Sequence, residues 1–106
     1  MEPENIDLTV TQRQEIASLL KQYLPDTEVW AYGSRVQFTS KPHSDLDLIA
    51  FATPRQRAAV YDMKEAFEES NLPFRVDIFV WDEVPVQFHK NIERDRVVLQ
   101  RKKPSR

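Results

Sequence analysis

A glycine, a serine and three aspartates of this chain are spaced so that they could bind phosphate groups and metal ions. Gly33 is the only glycine among the 106 residues, and it directly precedes Ser34. Ten residues, 35–44, then separate Ser34 from Asp45-Leu46-Asp47. A glycine lets the backbone approach a ligand closely, a hydroxyl can contact phosphate oxygens, and carboxylates supply the oxygen ligands that Mg²⁺ prefers. This spacing indicates nucleotide chemistry.

The aspartates are expected to meet only if their strands are neighbours. Because side chains alternate along a strand, Asp45 and Asp47 point to one face, and Asp77 is a lone acid within the apolar stretch 74–81. Three adjoining carboxylates would take up protons unless a cation neutralised them, and oxygen ligands select Mg²⁺ or Mn²⁺. Taken singly, each acid has a structural interpretation, such as an ion pair between Asp77 and Arg75 or Lys64.

The hydrophobic pattern predicts the elements that must position these residues. Thr11 and Gln14 have the spacing of a capping box at the start of a first helix. The stretch 74–81 is the clearest strand, because it is rich in β-branched and aromatic residues. The predicted order is helix, strand, loop, strand, helix, strand, helix, strand, over residues 11–23, 28–32, 35–44, 45–51, 54–70, 74–81, 85–93 and 96–100.

Composition predicts one globular domain over residues 1–106, with a core at about 12–100 and a basic tail at 101–106. The absence of cysteine excludes disulfides and thiolate nucleophiles. A net charge of −2 argues against direct binding of nucleic acid. No apolar run approaches the roughly 18 residues of a membrane span, and the first residues do not read as a signal peptide. We therefore expect a cytoplasmic protein without a membrane partner.

The complete pattern, Gly-Ser-x10-Asp-x-Asp, resembles the signature of the minimal nucleotidyltransferase (MNT) family within the DNA polymerase β-like superfamily. The stretches 31–35 (AYGSR) and 44–51 (SDLDLIAF) are similar to the surroundings of that signature. The resemblance covers about residues 12–100. It implies an α+β fold with a small mixed β-sheet flanked by helices.

The resemblance also implies roles for individual residues. The catalytic acids of the family, which bind Mg²⁺ or Mn²⁺, correspond to Asp45, Asp47 and Asp77. Its nucleotide-binding turn corresponds to Gly33, Ser34 and Arg35. Many small members of the family resemble antitoxins encoded beside a HEPN-domain RNase toxin. For them the resemblance implies transfer of AMP from ATP to a tyrosine of the toxin.

Residues 36–38 depart from the family pattern. Many members have a small residue, a basic residue and a second glycine there, whereas this chain has Val36, Gln37 and Phe38. Three functions therefore stay open. The protein is an adenylyltransferase, a binding module of the same fold that silences its partner by occlusion, or a nucleotidyltransferase acting on a small molecule. A homodimer and a hetero-complex are both compatible with the sequence.

Overall fold

The computed structural model describes residues 6–102. Most of the basic tail predicted at 101–106 and the acidic residues Glu2 and Glu4 lie outside the described residues. Within the part described, no helix is long and apolar enough to cross a membrane.

The helices and strands follow the predicted order, except that a short helix begins at the start of the stretch 35–44 predicted as a loop. The elements are α1 (Val10–Tyr23), β1 (Val29–Tyr32), α2 (Ser34–Gln37), β2 (Leu46–Ala50), α3 (Arg57–Glu68), β3 (Val76–Val80), α4 (His89–Asp95) and β4 (Val97–Gln100). Short 3-10 turns cover Pro54–Gln56, Trp81–Glu83 and Val86–Phe88.

The start of α1 differs from the sequence prediction. The capping box is formed by Thr9 and Gln12, two residues before the predicted pair. The Thr9 hydroxyl accepts from the Gln12 backbone N–H at 3.1 Å, and the Gln12 side chain accepts from the Thr9 N–H at 3.0 Å. The prediction of Thr11 and Gln14 was wrong because both pairs have the same spacing, which leaves the register of the cap open.

The four strands form one mixed sheet in the order β3-β2-β1-β4. Strand β1 runs antiparallel to both β2 and β4, whereas β2 and β3 run parallel. A parallel pair needs a crossover connection, and α3 supplies it between β2 and β3. The predicted α+β fold with a small mixed sheet is confirmed.

The two faces of the sheet have different roles. Helices α1 and α3 contact each other and bury their apolar residues in one core with alternate residues of the strands, among them Ala31, Leu48 and Ile78. Side chains one position along each of these strands point to the opposite face. These side chains are Tyr32, Asp47 and Asp77. The sheet face opposite α1 and α3 therefore carries a row of polar side chains.

Candidate functional site

Asp47 and Asp77 lie side by side on neighbouring strands. They are direct partners in the parallel register of β2 and β3. Asp45 stands one residue before β2, on the same side as Asp47 by strand alternation. The structure therefore brings together the three acids that the sequence placed in separate stretches.

The glycine turn lies directly against these acids. Gly33 has a φ of 92°, a left-handed conformation that favours glycine. A Cβ at this position would lie 2.8 Å from Asp47 Oδ2, which is closer than a carbon and a carboxylate oxygen can approach. Gly33 also caps α2, since its carbonyl accepts from the N–H groups of Val36 and Gln37. The backbone turn thus favours glycine, and any larger residue would also displace the Asp47 carboxylate.

Arg75 bridges two of the acids. Its Nε lies 3.1 Å from Asp77 Oδ1, and its Nη2 lies 3.3 Å from Asp45 Oδ2. The ion pair between Asp77 and Arg75 that the sequence suggested is therefore present, together with a second pair to Asp45. Among residues 6–102, no three histidine, aspartate or glutamate side chains are grouped as they stand to hold a metal ion. Two of the three carboxylates are oriented towards the guanidinium instead.

Burial and mutual repulsion perturb the ionisable groups of the site. Burial, followed by the charges of Asp77 and Asp45, raises the pKa of Asp47 to about 6, although Arg75 opposes the shift. Burial, Asp47 and Asp77 raise the pKa of Tyr32 to about 12. Asp77 and Asp45 raise the pKa of the Arg75 guanidinium, which stays charged. A cation at this site would therefore remove an electrostatic cost to ionised Asp47.

Arg35 has a different role from the one expected. Only 5% of the residue is exposed, and its guanidinium lies 4.0 Å from the centre of the Phe74 ring. It donates to four backbone carbonyl oxygens, those of Asp7, Lys41, Pro42 and Ser44. With its donors directed to these carbonyls, the side chain fixes the loop that leads to Asp45. The expected contact between the Arg35 side chain and a nucleotide is not supported.

A cavity of about 560 Å³ opens beside the glycine turn. Tyr32 and Gly33 form part of its wall, together with Phe79, Phe88 and Ile92. Phe79 and Phe88 are 44% and 49% exposed, so an apolar group entering the cavity would find aromatic surface not yet covered by the protein. The volume lies within the range typical of small-molecule sites.

The sequence pattern alone did not identify Tyr32 as a residue of this site. Its hydroxyl-bearing ring stands opposite Asp47 in the antiparallel register of β1 and β2. The available signal was its position, directly before Gly33 and in phase with Trp30 on a short strand. That signal becomes specific only once the pairing of β1 with β2 is known.

Aromatic contacts hold α4 over the face of the sheet that carries the acids. The ring of Trp81 lies 5.5 Å from that of Trp30 and stacks on His89 at 3.8 Å. His89, at the start of α4, also hydrogen-bonds the Val84 carbonyl oxygen. This stack partly buries His89. The cavity walls contributed by α4 are therefore anchored at one end.

Comparison with known proteins identifies the family of this site. The model of the family described as "Polymerase beta, Nucleotidyltransferase" matches residues 14–105. The chain belongs to this nucleotidyltransferase family. The resemblance to minimal nucleotidyltransferases is also confirmed by a relative from Haemophilus influenzae, named "Probable protein adenylyltransferase MntA". That relative is 40% identical over 98 residues, which cover 92% of this chain and 86% of the relative.

Solved structures of this nucleotidyltransferase fold resemble the chain. One, described as a toxin-antitoxin with AMP-PNP, has a TM-score of 0.66 at 18% identity and covers 86% of this chain and 74% of that one. Another, a tri-AMPylated Shewanella oneidensis HEPN toxin with its MNT antitoxin, has a TM-score of 0.50 at 14% identity, covering 95% and 73%. At these identities the likeness confirms the fold.

A nucleotidyltransferase of this family implies a nucleotide substrate and a divalent metal ion. The donor set of this chain fits such an ion. Asp45, Asp47 and Asp77 offer only hard oxygen ligands, and the charges of Asp77 and Asp45, added to burial, raise the pKa of Asp47, a repulsion that a cation would relieve. Few protein ligands are needed, because substrate phosphates and water usually complete the coordination shell of Mg²⁺.

Proposed function

We propose that the protein transfers AMP from ATP to a tyrosine hydroxyl of a cognate HEPN toxin, and thereby acts as its antitoxin. The observation that carries the proposal is the contact between the Gly33 turn and Asp47, which itself stands in register with Asp77. A phosphate-binding turn and a pair of acids so arranged suit transfer at phosphorus. The MntA relative and the toxin-antitoxin neighbours support the acceptor class.

Each part of the site has a role in this proposal. Asp45, Asp47 and Asp77 hold Mg²⁺ or Mn²⁺, which neutralises charge on the phosphates when bound. The backbone of Gly33 and the hydroxyl of Ser34 contact the phosphates. The adjoining cavity, lined by Tyr32, Phe79 and Phe88, receives the nucleoside. In this proposal the reaction takes place in the cytoplasm, with ATP as the substrate.

The reaction is an in-line displacement at the α-phosphorus of ATP. The tyrosine oxygen of the acceptor forms a bond to the α-phosphorus while the bond to the bridging oxygen breaks, and pyrophosphate leaves. Asp77, which lies on the edge strand β3, accepts the phenolic proton. Positioning and charge neutralisation supply most of the rate enhancement, as is usual for displacement at phosphorus.

The deciding experiment is mass spectrometry of the toxin after incubation with the protein, Mg²⁺ and ATP. Wild-type protein should add adenylyl groups to the toxin, whereas Asp47→Asn should lower the rate at least about a hundredfold, the scale of losing a key electrostatic group. Asp62→Asn is the matched control, because Asp62 lies on the exposed face of α3, away from the site.

The same experiment separates the alternatives. If Asp47→Asn adenylylates the toxin at the wild-type rate, the metal assignment is wrong. If wild-type protein inhibits the toxin without any mass increase, the protein acts by occlusion. Modification of a small hydroxyl compound but not of the toxin would instead establish a small-molecule transferase.

A further inference from the structure

We propose that Arg75 is a resident counter-ion of the carboxylate site, which a divalent metal must displace, so that Arg75 lowers the affinity of the site for metal. The proposal rests on the proposed function only in taking Asp45, Asp47 and Asp77 as the metal-binding acids. It assigns a role to a residue outside the Gly-Ser and Asp-x-Asp pattern.

The geometry places the Arg75 guanidinium at oxygens that a metal would need. It contacts both Oδ1 and Oδ2 of Asp77, at 3.1 and 3.3 Å, and Oδ2 of Asp45 at 3.3 Å. Asp77 belongs to β3 and Asp45 directly precedes β2, and one planar guanidinium can bridge them because its donors form a rigid fork. A metal ion at these oxygens would compete with the guanidinium for their lone pairs and would be repelled by its positive charge.

The backbone of Arg75 is fixed while its side chain is free to leave. Its carbonyl accepts from the Leu46 N–H at 2.9 Å, which joins the start of β3 to the start of β2. By contrast, 69% of the side chain is exposed. Exposed ion pairs contribute little net free energy, because water competes for both partners. The guanidinium can therefore be exchanged for a metal without disturbing the strands.

The arrangement of the acids agrees with such an exchange. Within residues 6–102, no three acidic or imidazole side chains are grouped as they stand to hold a metal. Asp45 and Asp77 must turn away from Arg75 before they can share a cation with Asp47. Metal binding therefore includes the free-energy cost of breaking the Arg75 contacts. A variant without Arg75 does not have this cost and also lacks a positive charge that repels the metal.

The test measures Mn²⁺ binding to the metal-free protein by calorimetry, without nucleotide and at constant ionic strength. Arg75→Gln should tighten Mn²⁺ binding about three- to tenfold, the size expected for losing one or two exposed ion pairs. The Mn²⁺ affinity of Arg75→Lys should lie between those of wild type and Arg75→Gln, because an ammonium keeps the charge but does not bridge two carboxylates.

Arg94→Gln is the matched control. Its side chain is also 69% exposed and pairs with an aspartate, Asp95, so the substitution removes the same charge at equal exposure. It should leave Mn²⁺ binding unchanged. Thermal unfolding of each variant with and without Mn²⁺ provides a second measurement, in which Mn²⁺ should raise the melting temperature of Arg75→Gln more than that of the wild type.

The possible outcomes differ clearly. Equal Mn²⁺ affinity in wild type and Arg75→Gln overturns the proposal, as does equal tightening by Arg75→Gln and Arg94→Gln, which would show a general charge effect. If one of these two results is found and the wild type still adenylylates the toxin, the proposed function stands while the role of Arg75 fails. If none of the variants binds Mn²⁺, the metal assignment fails as well.

Discussion

Two arginines hold consecutive parts of the chain in opposite ways. Arg35 donates to the carbonyl of Ser44 from a buried position, and Arg75 pairs with the carboxylate of Asp45, the next residue, from an exposed one. We call α2 with residues 38–44 the loop side, and the three aspartates with Arg75 the carboxylate side. Burial decides the difference: a desolvated guanidinium needs fixed partners, whereas a hydrated one can exchange them.

The two sides differ in what they must do: the loop side holds Asp45 in position, whereas the carboxylate side exchanges its contacts. The loop side delivers Asp45 to the same place because hydrogen bonds from the buried Arg35 to backbone carbonyls define its path. In the proposed function the carboxylate side accepts a cation, substrate phosphates and an acceptor hydroxyl in turn, so its own contacts must be weak enough to break. A single type of residue serves both needs.

The largest effect is expected on the loop side, from Arg35→Met. Methionine keeps an apolar stem against Phe74 but leaves four carbonyl oxygens without their donor. We expect a loss of about 2–4 kcal/mol in the free energy of unfolding, measured by urea denaturation, since four part-buried hydrogen bonds to a charged donor are lost together. Arg75→Met serves as the control and should shift the urea midpoint far less. Equal shifts for the two variants would contradict the comparison.

The sequence predicted the two sides unequally. Strand alternation and the apolar stretch 74–81 were enough to expect Asp45, Asp47 and Asp77 on one surface, provided that their strands were neighbours. The order β3-β2-β1-β4 satisfies that condition, but no local pattern states it, because sheet order depends on contacts between distant segments. The register that sets Tyr32 opposite Asp47 has the same origin.

The role of Arg35 lay beyond sequence reasoning for a related reason. Its position after Gly33-Ser34 resembles that of a phosphate ligand, and nothing in the neighbouring residues shows that it is buried. Its partners include Asp7, 28 residues earlier, and Phe74, well beyond it in sequence. Whether an arginine faces a ligand or the interior is decided by such distant contacts, whereas the periodicity of α1 or β3 is local.

An intermediate effect is expected on the carboxylate side, from the pH dependence of Asp47. Its pKa of about 6 lies above the value near 3.9 of an unfolded aspartate, so the native state holds the proton more tightly. The resulting stabilisation is complete below pH 4 and is lost as the pH rises through 6.

Asp47→Asn removes this dependence. In EDTA, the free energy of unfolding of Asp47→Asn minus that of wild type should increase by about 1–2 kcal/mol from pH 4 to 7, less than the full shift implies because the side chain is partly exposed. Saturating Mg²⁺ should reduce the difference, since the wild type alone keeps all three acids. A difference that is flat with pH would show that Asp47 is not perturbed in the metal-free protein.

The smallest effect is expected at Phe38, where the loop side departs from the family pattern. Phe38 ends α2 in the left-handed region, with φ of 56° and ψ of 35°, a conformation that favours glycine or asparagine. This backbone gives a physical reason for the second glycine found in many family members. Because Phe38 is largely exposed, replacing its ring costs little buried area.

Phe38→Asn should therefore raise the free energy of unfolding by about 0.5–1 kcal/mol, measured by urea denaturation, because asparagine tolerates this backbone better. Phe38→Leu keeps the strained conformation and should give no gain. If asparagine destabilised the protein instead, the Phe38 ring would have to contribute packing that outweighs the strain. The loop side would then be held by Phe38 as well as by Arg35, and it would differ still more from the carboxylate side, whose contacts are exposed and exchangeable.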